Sequence, residues 1–126
     1  MKIGDKDIDN LYELESYLLG AMILDNTCIA AVMGLLEDYH WSSHHHGVVF
    51  DAIYSIYIDS MPLDLVGVRN VLRKSGVLDR IGGVSYLVHL VDNISSADKA
   101  VACAKTLREL VEKVEAATAQ ALGFKV

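Results

Sequence analysis

No stretch of this 126-residue sequence holds the roughly 18–20 apolar residues in a row that a membrane-spanning helix requires. An export signal is missing too. Met1-Lys2-Ile3-Gly4-Asp5-Lys6-Asp7 places charges where a signal peptide has its apolar stretch. Cysteine is scarce: Cys28 and Cys103 stand far apart and outside any metal-ligand spacing. Reduced thiols of a cytoplasmic protein are the expectation, with a disulfide the alternative. Positive charge is also short, 11 Lys and Arg against 17 Asp and Glu leaving a formal net charge of −6. Such a surface repels phosphate unless its basic residues gather on one face. No membrane partner is therefore expected, direct nucleic-acid binding is disfavoured, and a protein partner comes first.

Catalytic signatures are missing as well. No Gly is followed five residues later by Gly-Lys-Ser or Gly-Lys-Thr, so nothing cradles a nucleotide phosphate. Ile81-Gly82-Gly83-Val84 has two glycines but no strand before it, and reads as a tight turn between helices. His40 and His44-His45-His46 form the densest cluster of metal-ligating side chains. His40 and His44 would lie one turn apart on a continuous helix and could then share a metal. Consecutive histidines point in different directions, however, and neither H-E-x-x-H nor a complementary Cys, Asp or Glu is present. A surface or core role is preferred. The remaining Asp and Glu read as solvated helix faces, so no catalytic, cofactor-binding or metal residue is assigned and no cofactor is expected in this chain.

What is present is helical. Hydrophobic residues make up 52% and charged residues 22% of the chain, which suits one globular domain. Asn10 with Glu13 three residues on resembles a capping box opening a first helix. Leu11, Leu14, Leu18 and Met22 follow at helical spacing, with Gly20 a permissive position among them. Asp25-Asn26-Thr27 interrupts and caps a second helix bearing Ile29, Val32, Met33 and Leu36. Residues 39–43 connect to a third, marked by Val49, Phe50, Ile53, Ile56 and Tyr57 and ending before Pro62. Asp64 caps a fourth with Leu65, Val68, Val71 and Leu72, closed by Gly76 in a left-handed cap. After Gly82-Gly83 comes a short helix with Tyr86, Leu87, Leu90 and Val91. Ser95 with Asp98 opens the last. The pattern predicts an all-α bundle of five to six helices ending in a long one.

In that last helix Ala100, Ala104, Leu107, Val111, Val114, Thr118 and Ala121 step alternately by four and three, the spacing of a helix-pairing seam. Either it docks on its own domain or it forms an oligomer interface; the second reading is slightly favoured, because no second helix is present to cover the seam. A small helix-turn-helix DNA-binding regulator is the competing function. Leu65–Ser75 and Val84–Val91 would be its helices, supported by Arg69, Arg73 and Lys74. Against it, residues 75–83 exceed the usual turn, and the second helix offers no Arg, Lys, Asn or Gln before Asn93 to read base edges.

The order of short phrases goes further. Asn10-Leu11-Tyr12-Glu13-Leu14-Glu15-Ser16, then Leu19-Gly20-Ala21 and Leu24-Asp25-Asn26, resembles the opening of the N-terminal domain of DnaB-type replicative DNA helicases. His46 and Phe50 resemble that family's His-x-x-Ile-Phe element, and Pro62-Leu63-Asp64-Leu65-Val66 its Pro-Ile-Asp-Leu-Val phrase. Leu72, Gly76, Leu78, Gly82-Gly83, Tyr86-Leu87, Asn93, Ser95-Ser96-Ala97 and Arg108-Glu109 continue in family order and spacing. The departure is local: His40-Trp41-Ser42 stands where Asp-Phe-Tyr is usual. Glu13, Glu15, Gly20, Asp25, Asn26, His46, Phe50, Pro62, Asp64, Gly82 and Gly83 are the motif residues.

The resemblance implies a helical head over residues 1–96 and the first arm of a helical hairpin, cut short of its second, over 97–126. It implies pairing with other helicase subunits into a dimer-based hexameric collar, and docking of the C-terminal domain of primase, with a helicase loader a further partner. ATP and magnesium would belong to the motor domain of the parent helicase.

Overall fold

The computed structural model describes residues 5–36 and 39–121. Among these there is no strand, and six α-helices follow one another: α1 Asp5–Leu24, α2 Ile29–Leu35, α3 His44–Ile58, α4 Leu65–Lys74, α5 Gly83–Asp92 and α6 Ala100–Ala121. Short 3-10 turns stand at Asn26–Cys28 and Asp79–Ile81. The expected all-α bundle with a long last helix is what forms.

Helix α1 is the centre of the domain and packs against α3, α5 and α6. Its Leu18, Leu19 and Met22 are fully buried, as are Leu72 of α4, Leu87 of α5 and Leu107 of α6. Burying each such side chain is worth about 1.5–3 kcal/mol. No single helix among the described residues is long and apolar enough to cross a membrane.

Helix boundaries show which sequence signals act. Asp25 accepts from the Thr27 amide at 2.9 Å and so turns the chain between α1 and α2. Asp64 accepts from the Gly67 amide at 2.7 Å and starts α4 directly after Pro62 and Leu63. Gly76, at φ 77°, closes α4, with Val77 N–H reaching Leu72 C=O and Gly76 N–H reaching Arg73 C=O. Gly82 and Gly83, at φ 110° and 70°, bring the chain into α5.

Two expected boundaries differ. Asn10 lies well inside α1, so the Asn10–Glu13 pair caps nothing; an interior Asn costs less than about 0.7 kcal/mol, too little to stop a helix that packing stabilises. Helix α3, by contrast, begins at His44, directly after the expected 39–43 connection. Before α6 it is Ser96, not Ser95, whose hydroxyl accepts from the Asp98 amide, at 3.1 Å.

Candidate functional site

Glu15 breaks the apolar stripe of α1, one turn after Leu11 and one turn before Leu18 and Leu19. It is carried into the core with them, at 0% exposure. This corrects the reading of the acidic residues as uniformly solvated. His46 does the same on α3, where it precedes Val49 and Ile53 on the buried face and is itself 0% exposed. An isolated buried carboxylate would be unstable by several kcal/mol. Here every donor needed is supplied.

Glu15 Oε2 accepts from the Tyr39 hydroxyl and from the Ser42 amide at 2.8 Å. Its Oε1 accepts from the Ser42 hydroxyl at 2.7 Å and faces His46 Nδ1 at 2.7 Å. A carboxylate only accepts, so Nδ1 carries a proton, while Nε2 and the Ser16 hydroxyl share a hydrogen bond of 3.0 Å. Burial pushes the Glu15 carboxyl up. The bonds from His46, Tyr39 and Ser42 together more than offset it and hold the group below its ordinary value of 4.5. Burial and the adjacent carboxylate push the Tyr39 phenol well above the usual range, so it stays a neutral donor. The result ties α1, the segment from Tyr39 to Ser43, and the start of α3 into one corner.

Aromatic rings surround that corner. Tyr12 lies 4.5 Å from the His46 ring. Trp41, the departure from the family phrase, stacks obliquely on Phe50 at 4.9 Å and meets Tyr39 edge-on at 5.0 Å. Tyr54 continues the row beside Phe50 at 6.3 Å. The other motif residues act through the backbone. Gly20 lets α5 approach, for a Cβ there would sit 2.3 Å from the Leu90 carbonyl oxygen. Asn26 opens the first 3-10 turn.

The histidines divide. His40, His44 and His45 are exposed while His46 is buried, and His40 precedes α3 instead of sharing a helix with His44. Among the described residues no three His, Cys, Asp or Glu side chains gather in a way that could hold a metal ion.

The seam of α6 divides as well. Ala100, Ala104 and Leu107 are each 0% exposed inside the domain's own core, against the neighbouring α1 and α2. Small side chains there permit close helix contact, so the first half of the seam is used within the chain. Val111 packs partly against the same core. The side chains of Val114, Thr118 and Ala121 lie outside the described residues.

In the helix-turn-helix alternative, α5 would be the reading helix. It buries Leu87 and Leu90 and has no Arg or Lys, while Arg73 and Lys74 stand at the far end of α4. Helix α5 thus offers no Arg or Lys of its own to a phosphate backbone.

Comparison with known proteins agrees with the geometry. The family model described as the DnaB-like helicase N terminal domain matches residues 8–109. The replicative DNA helicase DnaB of Leifsonia xyli subsp. xyli is 35% identical over 104 residues, covering 78% of this chain and 23% of that protein. The Mycobacterium leprae helicase of the same name is 36% identical over 104 residues, covering 78% of this chain and 17% of its own length. The chain thus spans about a quarter or less of these relatives. The crystal structure of the N-terminal domain of DnaB helicase from Mycobacterium tuberculosis is similar with a TM-score of 0.75 at 34% identity, over 83% of this chain and 75% of that one.

Proposed function

Because this chain belongs to the DnaB-like helicase N-terminal domain family, we propose that it serves a replicative DNA helicase as a non-catalytic assembly and docking domain. The observation that carries the reading is the joint likeness in sequence and backbone to a helicase N-terminal domain. The partners proposed are other helicase subunits and the C-terminal domain of primase, with a helicase loader as a further one, all in the cytoplasm. ATP and magnesium are assigned to the motor domain of the parent helicase and not to these residues.

For assembly, the surface offered is α6 beyond Leu107. The buried first half of the seam decides which substitution is informative. Leu107→Asp would put a charge into the core and unfold the domain, so Val111→Asp is the informative variant. Sedimentation of the chain at tens of micromolar is expected to show self-association that Val111→Asp weakens with helicity kept. A wild-type monomer would assign α6 wholly to its own domain.

For docking, calorimetric titration with a primase C-terminal domain is expected to give a weak, salt-sensitive complex. Transient interfaces bury less than about 1,200 Å², and a hexameric collar adds avidity without new contacts. Absence of heat at several hundred micromolar would leave assembly as the sole role.

A further inference from the structure

Between α1 and α5 the surface opens into a cleft of about 350 Å³. Its shape follows from one small residue and several large ones. At Gly20 the two helices touch, with room for no Cβ between α1 and the Leu90 carbonyl. Along the rest of the cleft, Tyr12, Tyr17 and Tyr86 hold the walls apart. These walls are fixed in place. The Tyr12 ring rests on His46 at 4.5 Å, and His46 is locked by Glu15. The Tyr17 hydroxyl donates to the Ser96 carbonyl at 2.9 Å.

The lining has a definite chemistry. Glu13 supplies a carboxylate and His89 an imidazole, and no Arg or Lys stands among the described lining residues. Glu13, offered by the sequence as half of a capping box, is exposed here and caps nothing. Asn93 adds an amide. The Tyr86 hydroxyl is buried and has no hydrogen-bond partner among the described residues. Burial first, then Tyr12 and Glu15, push this phenol up to about 12, so it is a neutral group with an unused oxygen. A buried polar atom left unpaired costs about 1–3 kcal/mol, which an occupant offering an N–H would recover.

We propose that this cleft, with its tyrosine walls, the Glu13 carboxylate and the unpaired Tyr86 hydroxyl, binds an arginine side chain of a partner protein. A guanidinium is planar, stacks on aromatic faces and carries five donors in a fixed fork. Stacked on a tyrosine ring it can donate to Glu13, and it keeps further N–H groups for the Tyr86 oxygen. A lysine ammonium has no plane to stack. An anion would face Glu13 and a chain of net charge −6. The volume suits one side chain and not a whole helix. The proposal does not depend on primase being the partner, and it predicts the chemistry of whichever protein docks here.

The test is an NMR titration of the whole chain at about pH 8, where imidazoles in general are neutral, with N-acetyl-arginine N-methylamide as probe. Saturable shifts are expected at the amides of Glu13, Tyr86 and Asn93. Glu13→Gln and Tyr86→Phe are each expected to weaken binding by about fivefold, the equivalent of one modest charge or hydrogen-bond contact. The neutral isostere N-acetyl-citrulline N-methylamide should leave the spectrum unchanged. Equal binding of the citrulline probe, or shifts scattered over acidic surface unaffected by either substitution, would overturn the arginine assignment. Agmatine serves as the third arm: tighter binding of this free amine than of the peptide-like probe would make a small cationic metabolite the ligand and overturn the protein partner.

Discussion

Helix α1 meets its neighbours through two joints of opposite construction. At Glu15 the contact with the 39–46 region is polar and crowded, with Tyr39, Ser42 and His46 converging on one carboxylate. At Gly20 the contact with α5 depends on a side chain that is missing, so that the Leu90 carbonyl and the Ile94 side chain can approach. The first joint is specified by what its residues offer, the second by what one residue omits. The two should therefore fail in opposite ways, one by losing atoms and the other by gaining them.

The largest effect is expected from Glu15→Ala. It strands the Tyr39, Ser42 and His46 donors in the core, and removing one member of a buried charged network typically costs about 3–5 kcal/mol. Urea denaturation at neutral pH measures this; a loss under about 1 kcal/mol would mean that water replaces the carboxylate and that the corner is loosely built. Next comes Gly20→Ala. In an ordinary helix interior that change stabilises by about 1 kcal/mol. Here the sign should reverse, with a loss of about 1–3 kcal/mol from overpacking, since the added methyl meets backbone at 2.3 Å. A stabilised variant would show that α5 can slide away freely, and the contrast between the joints would collapse.

The acid response should be smaller and confined to the polar joint. The folded Glu15 carboxyl lies below its ordinary value of 4.5, so its contribution is fully present above that pH. The contribution fades as pH falls through the lower folded value. Stability measured from pH 6 down to pH 3 should therefore drop less steeply in Glu15→Gln than in the wild type, while Gly20→Ala keeps the wild-type slope. Parallel slopes in all three proteins would transfer the acid sensitivity to other carboxylates.

The gentlest pair sharpens the comparison. Tyr39→Phe removes one donor of several and should cost about 1 kcal/mol. Ile94→Val removes one methyl from the wall that faces Gly20 and should cost about 0.5–1.5 kcal/mol. Their thermal shifts should add when combined, because the joints share no side chain and distant sites behave independently. A combined loss well beyond the sum would reveal that α1 couples them.

Much of this architecture can be read in the sequence because it rests on local chemistry. Asp25, Asp64 and Gly76 act within a few residues of themselves, and each does in the structure what its type and position predict. The polar corner is harder to see because its partners are separated by about thirty positions, Glu15 from His46, and nothing local announces that a charged residue will be buried. A signal exists all the same: Glu15 and His46 both stand inside apolar stripes, where a solvated residue has no place. Gly20 shows the same limit from the other side, since a glycine in a helix says that something comes near without saying what. The Asn10 cap is misread for the opposite reason, a local signal overridden by packing. The first half of the α6 seam, Ala100 to Leu107, is buried as its period suggests, but periodicity cannot distinguish a helix of the same chain from that of another molecule.

The burial of α6 at Ala100, Ala104 and Leu107 gives the helix the mechanics of a cantilever. One end is clamped in the core, Leu110 and Val111 pack partly against it, and past Leu107 no described side chain is fully enclosed. From Glu112 to Ala121 the helix extends roughly 15 Å at its usual rise. Over that length a tilt of about 5° at the clamp moves Ala121 by about 1.3 Å, from the same rise per residue. The two alanines, which leave no side chain long enough to rock upon, thus set how accurately whatever sits at the far end is aimed.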